Sequence, residues 1–198
     1  MDYTYGLFVY KNAASLDFIG PSDVFVISNY LLKKGRVVTV AETPGSIQCV
    51  GGLEIVPRET IEAASSLDVL VVPGAGDKAS IDAISTYALN WIRTQAHRIK
   101  FVAAVCSGAL VLQNAGLLNH RRATTHWMHI EDLSQDSTIT VMPEMRYVRD
   151  ENIVTSQGVS AGIDMALWLI GQLHSPEHAR DVRKFMQYDP APPYTAEV

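Results

Sequence analysis

The stretch Ala103-Ala104-Val105-Cys106-Ser107-Gly108-Ala109-Leu110 carries the residue best suited to covalent chemistry. An apolar run over Phe101–Val105, read as a strand, meets a helical pattern beginning at Gly108, with Cys106 at the junction. Small residues at Ala104 and Gly108 permit the sharp, strained turn of a nucleophile elbow. A thiol in that place faces the positive end of the following helix, which favours thiolate. The N–H of Ser107 is placed to donate to a developing anion. A buried structural cysteine is the ordinary alternative for such a position. Asp17, in Leu16-Asp17-Phe18-Ile19-Gly20-Pro21, follows the first apolar run. It reads either as an N-cap of the first helix or as a carboxylate doing general acid/base work beside the nucleophile. Pro73-Gly74-Ala75-Gly76 breaks another strand, and the N–H groups of Gly74 and Ala75 can approach a ligand closely. Ala123-Thr124-Thr125-His126-Trp127 adds Thr125 and His126 as pocket candidates, the histidine as a base or as a packed structural residue. Cys49, beside Gly51-Gly52, reads as an ordinary buried thiol.

These residues need a scaffold, and the hydrophobic pattern supplies one. Short apolar runs at Leu7–Tyr10, Arg36–Ala41, Val69–Val72, Phe101–Val105 and Ile153–Ser156 lack polar alternation and read as strands. Ile139–Met142 and Met145–Val148 read as further short strands, and Gly51-Gly52 as the turn of a hairpin between Ile47–Val50 and Leu53–Val56. Helical spacing predicts helices over Leu16–Lys34, with Pro21 in the first turn, and over Ser80–Arg98 and Gly108–Leu118. Two more are predicted from just after Gly158 to Leu173 and from Pro176 to about Met186. Alternating strands and helices of this kind argue for an α/β fold with a largely parallel sheet covered on both faces. In such sheets ligands bind outside the carboxyl ends of the strands, where Asp17, Gly74 and Cys106 fall.

The chain has 198 residues, a length suited to one domain over residues 1–188 followed by a Pro-rich tail, 189–198. Hydrophobic residues make up 47% and charged residues 19%, which excludes a mostly disordered chain. Lys and Arg total 16 against 21 for Asp and Glu, a net charge of −5. That balance suits neither a phosphate backbone nor an anionic lipid surface, so no nucleic-acid or membrane partner is expected. Two cysteines exclude a disulfide framework or a four-cysteine zinc site, and no His-Glu-x-x-His spacing occurs, so no metal is expected. No apolar run reaches the roughly 18 residues of a membrane span, and no basic leader followed by an apolar stretch is visible. A reducing, cytoplasmic location is the expectation.

Taken in order, these motifs, together with Thr155-Ser156-Gln157-Gly158 and Tyr188-Asp189-Pro190-Ala191-Pro192-Pro193, resemble the DJ-1/PfpI superfamily over nearly the whole chain. The resemblance implies a flavodoxin-like three-layer α/β sandwich and a homodimer. Asp17 in place of a glutamate, the Ala-Thr-Thr-His-Trp run and the Tyr-Asp-Pro-x-Pro-Pro segment resemble its isonitrile-hydrating branch. That branch implies Cys106 as nucleophile, Asp17 as its acid/base partner and no cofactor. A thiolate attacks the terminal carbon of an isonitrile, and a thioimidate hydrolyses to an N-substituted formamide. Backbone donors at Ala75 and Ser107 are implied beside the developing charge. Ser107 stands where that branch has Thr and where the protease-like branch has His, which argues against peptidase activity. The alternatives are a glyoxalase converting methylglyoxal to lactate and a non-catalytic redox or stress sensor. The first differs by product. The second is told by cellular protection without turnover. From the chain length, the helix-turn-helix domain of the related AraC-type regulators is not expected.

Overall fold

A computed structural model describes residues 2–190 of the chain. The expected Pro-rich tail lies outside the described residues beyond Pro190. The first half runs β1 (Thr4–Phe8), α1 (Ser15–Leu32), β2 (Arg36–Ala41), β3 (Ile47–Gln48), β4 (Glu54–Ile55), β5 (Glu59–Thr60) and β6 (Val69–Val72). Next come α2 (Lys78–Asp82), α3 (Thr86–Ala96), β7 (Phe101–Val105), α4 (Gly108–Asn114), β8 (Arg122–Ala123) and α5 (Ile130–Ser134). The chain continues through β9 (Thr140–Val141), β10 (Tyr147–Asp150), β11 (Ile153–Ser156), α6 (Ala161–Leu173) and α7 (Pro176–Phe185).

Seven strands form one sheet in the order β10-β11-β7-β6-β1-β2-β5. Every pairing in it is parallel except β10 with β11. Helices α1, α6 and α7 pack together as one layer, and α2, α3 and α4 as another. This is the mostly parallel sandwich expected from the apolar strands. All residues of β6, β7 and β11 are buried, because helices cover both faces; the two polar side chains, Thr155 and Ser156, are hydrogen-bonded to backbone. The chain passes from β1 to β2 on one side and then returns across β1 to β6 on the other. That reversal opens a crevice between the carboxyl ends of β1 and β6, the place where open α/β sheets bind ligands.

Two helix expectations need correction. The predicted Ser80–Arg98 helix is two helices, α2 and α3, broken at Ser85. Ile81, Ala88 and Ile92 are all buried, so the apolar spacing runs through the break. Ser85 instead adopts an extended conformation and its Oγ accepts the Ala88 N–H at 3.0 Å, an N-cap that starts a new helix. Pro21 lies in the second turn of α1, where it has no N–H to give the carbonyl of Asp17. The glycine hairpin is present as β3 and β4, paired antiparallel, with Gly51 and Gly52 at φ 77° and 86°. Cys49 is buried there, its N–H donating to the Leu53 carbonyl at 2.7 Å. Burial pushes its thiol up, which fits a structural role. No helix among the described residues is long and apolar enough to cross a membrane.

Candidate active site

Cys106 and Ser107 link β7 to α4, and the φ of Cys106 is 59°. Left-handed backbone is costly for a residue with a Cβ, so the surroundings must hold it. They do so from three directions. The Cys106 N–H donates to the carbonyls of Ser156 and Gln157 at 3.3 and 3.2 Å, at the end of β11. The Thr125 hydroxyl donates to the Cys106 carbonyl at 2.9 Å. A Cβ on Gly108 would lie 2.3 Å from the Val72 carbonyl oxygen, so only glycine lets α4 start against the end of β6. The strand-to-helix pattern around Cys106 therefore folds as a strained elbow, with Thr125 as one of its braces.

Asp17 is fully buried at the start of α1. It does not cap the helix: Ala14 is the N-cap position, and no side chain caps it. The carboxylate turns instead into the crevice, where Oδ2 accepts the Gly74 N–H at 3.0 Å. Oδ1 is buried without a hydrogen-bond partner. Burial is the main reason its pKa rises from 3.8 to about 6, against the opposing pull of the Gly74 N–H, the Cys106 thiol and the Val159 N–H. The two side chains thus meet across the crevice although they stand far apart in sequence.

The thiol does not match the expectation of a resting thiolate. Burial first, and then the charge of Asp17, push Cys106 up to about 12. The Ser107 N–H and hydroxyl and the Val159 N–H act in the opposite direction but do not prevail. Helix α4 has only seven residues, and its dipole is outweighed by desolvation and a neighbouring anion. Burial and mutual repulsion thus disfavour charging both groups at once.

The Gly74 and Ala75 loop also has a different job from the one expected. The Gly74 N–H holds Asp17, and the Ala75 N–H donates to Ser107 Oγ at 3.1 Å. Both donors position side chains in the resting protein, so neither stands free for a developing anion. The Ser107 and Val159 N–H groups are the donors directed at the reactive pair. Gly74 is confined by this arrangement. A Cβ there would lie 2.5 Å from Ser107 Oγ and 3.0 Å from Asp17 Oδ2. Gly74→Ala is expected to cost about 1–3 kcal/mol by overpacking and to lower turnover by displacing both side chains. Chemical denaturation alongside steady-state assay checks this; unchanged stability and rate would mean that the loop relaxes freely.

No hydrogen bond joins His126 to Cys106 among the described residues. Its Nδ1 accepts the Met128 N–H at 3.2 Å and its ring fits against Gly158, where a Cβ would come within 2.0 Å of Cδ2. Burial and the neighbouring His129 lower its pKa. It therefore caps a short turn and packs, the structural role, and the nitrogen needed for a base is engaged.

Two contributors escaped the sequence reading. Val159 has φ 52°, strained for a β-branched residue, and its N–H is aimed at Asp17 and Cys106. The end of β11 lies beside β7 in the parallel sheet, so the strand-end rule that singled out Gly74 and Cys106 applied to Gly158-Val159 as well. Tyr10, buried at the end of β1, donates its hydroxyl to the Pro73 carbonyl at 2.9 Å and steadies the Gly74 loop. Burial, Asp17 and Cys106 raise its pKa well above the ordinary value, so the phenol stays protonated.

A largely parallel α/β sandwich with a cysteine elbow and a buried carboxylate at the switch point of its sheet defines a class of small cysteine-centred domains. Within that class the chain belongs to the DJ-1/PfpI family, which it matches over residues 6–172. It is 37% identical to isonitrile hydratase of Pseudomonas putida over 194 residues, covering 96% of this chain and 80% of that one. It is 30% identical to protein DJ-1alpha of Drosophila melanogaster over 185 residues, covering 89% and 83% of the two chains. The crystal structure of a ThiJ/PfpI family protein from Pseudomonas syringae superposes with a TM-score of 0.87 at 32% identity. That match covers 100% of this chain and 80% of the other.

Proposed function

We propose that the protein hydrates isonitriles to N-substituted formamides, with Cys106 as nucleophile and Asp17 as acid/base. The observation that carries this reading is the Cys106 thiol on a strained elbow with the buried carboxylate of Asp17 beside it. The similarity to the Pseudomonas putida enzyme supports the choice of substrate class.

Each step balances within that pair. Asp17 takes the proton from the Cys106 thiol as sulfur bonds to the terminal carbon of R–N≡C. The carbon lone pair then receives that proton from Asp17, giving the thioimidate R–N=CH–S–Cys106. Asp17, ionised again, accepts a proton from water as hydroxide adds to the same carbon, and nitrogen takes that proton. The C–S bond breaks, sulfur takes the hydroxyl proton, and R–NH–CHO departs. The N–H groups of Ser107 and Val159 steady sulfur while it carries charge. Sulfur suits both halves because it attacks readily and leaves readily.

The test is an alkyl isonitrile incubated with purified protein, with formamide read by mass spectrometry. Formamide is expected, and kcat/KM is expected to rise with pH to a plateau, with a midpoint near the raised Asp17 value of about 6. Lactate from methylglyoxal with no formamide would replace this reading with the glyoxalase one. Turnover of neither substrate would leave a non-catalytic role for the thiol.

A further inference from the structure

We propose that a second cleft, between β10, α6 and α7, binds a small aromatic carboxylate. This cleft of about 530 Å³ is lined by residues outside the Cys106 and Asp17 pair, among them Arg146, Asp164, Trp168, Arg180, Arg183 and Tyr188. Its volume is in the range of small-molecule sites. Its charge runs against that of the chain. Three guanidinium groups line it against one carboxylate, Asp164, in a protein of net charge −5. A fourth, Arg149, lies 5.9 Å from the Trp168 ring centroid.

The lining cations are not equivalent. Arg146 is held by Asp164, with Nε 2.8 Å from Oδ2, and by the Ser160 hydroxyl. Arg180 pairs with Glu177 at 2.8 Å. Asp164 is engaged again by the Tyr188 hydroxyl at 3.0 Å. The Arg183 carbonyl accepts the Tyr188 N–H at 3.1 Å, but its guanidinium has no hydrogen-bond or ion-pair partner among the described residues and lines the same cleft. A free guanidinium fork fits a carboxylate with two parallel hydrogen bonds. The body of the ligand is set by the walls. Trp168 and Tyr147 lie with ring centroids 5.8 Å apart, and the Tyr188 ring joins them. Flat apolar walls favour an aromatic ring over a sugar or a bare ion. This proposal does not rest on the hydration reading, because its readout is binding without turnover.

Phenylacetate is the probe, titrated into the intact chain by calorimetry, with the Trp168 indole N–H followed by NMR. Saturable binding is expected, with a shift of that resonance and several-fold weakening in 0.5 M salt. Arg183→Gln is expected to weaken binding at least tenfold, and Arg183→Lys less. Arg183 is exposed, so both variants keep the fold. Phenylacetamide, which keeps the ring and lacks the charge, is expected to bind at least tenfold more weakly. The proposal is overturned if phenylacetate at 10 mM gives no heat and no shift, or if Arg183→Gln binds it equally. Equal binding of phenylacetamide reduces the cleft to an apolar groove, and equal, competing binding of inorganic phosphate reduces it to a simple anion site; either result also overturns the proposal.

Discussion

Replacing Cys106 with alanine is expected to reduce isonitrile hydration by about 10³-fold or more, to the background given by binding alone. In the proposed mechanism the sulfur forms and breaks the only covalent bond to substrate, and the neighbouring Ser107 hydroxyl, which accepts the Ala75 N–H, is a far weaker nucleophile than a thiolate. Asp17 then has no thiol to deprotonate. A Cys106→Ala protein with the full rate of formamide production would end the proposed mechanism. The same position reports on backbone strain. At φ 59° a Cβ is a burden, so Cys106→Gly is expected to be more stable than Cys106→Ala by about 1 kcal/mol. Denaturation of the two variants under identical conditions measures it. Equal stability would show that the elbow is not strained.

Asp17→Asn is expected to move activity and stability in opposite directions. Turnover should fall by about 10²–10⁴-fold, because an amide neither accepts the thiol proton nor returns it to carbon. Stability should rise at neutral pH. The folded protein holds the Asp17 proton up to about pH 6, while the unfolded chain releases it near 3.8. Between those values the folded state binds more protons, so the contribution of Asp17 to stability falls as pH rises through the window and is constant above it. Ionised Asp17 thus costs roughly 3 kcal/mol at pH 8. Asparagine escapes that cost and keeps an oxygen for the Gly74 N–H, but it places an amide where Oδ1 had no partner. The net gain should be about 1–3 kcal/mol at pH 8 and should vanish by pH 4. Urea denaturation of both proteins at the two pH values checks it. A destabilised variant at pH 8 would mean that the carboxylate is held by stronger interactions than burial opposes.

Much of the scaffold was legible in the chain. The runs Val69–Val72, Phe101–Val105 and Ile153–Ser156 match their strands residue for residue, because strands buried on both faces carry apolar or small side chains without charged ones. The break at Ser85 was less visible, since α2 and α3 share a buried face and only a hydroxyl marks the junction. Cys106 stood out by its small neighbours, since Ala104 and Gly108 report the space a strand-to-helix elbow requires. The role of His126 was not legible, since a turn cap and a base are written with the same residue.

By itself the sequence determined the parallel sandwich, the elbow at Cys106 and the placement of Asp17, Gly74 and Cys106 at strand ends. Each follows from a local rule: burial of apolar runs, glycine where a Cβ has no room, and the end of a strand as an opening. Only the tertiary structure decided the electrostatics of the pair. A thiol next to a helix start reads as acidic until its burial and the Asp17 carboxylate are known, and both come from residues distant in sequence. It also decided which donors are available. The Gly74 and Ala75 N–H groups are engaged by Asp17 and Ser107, while that of Val159, carried on a strained residue at the end of a neighbouring strand, turns toward the sulfur. Solvation and hydrogen-bond partnership depend on everything within a few ångströms, and that neighbourhood exists only once the sheet has brought its strand ends together.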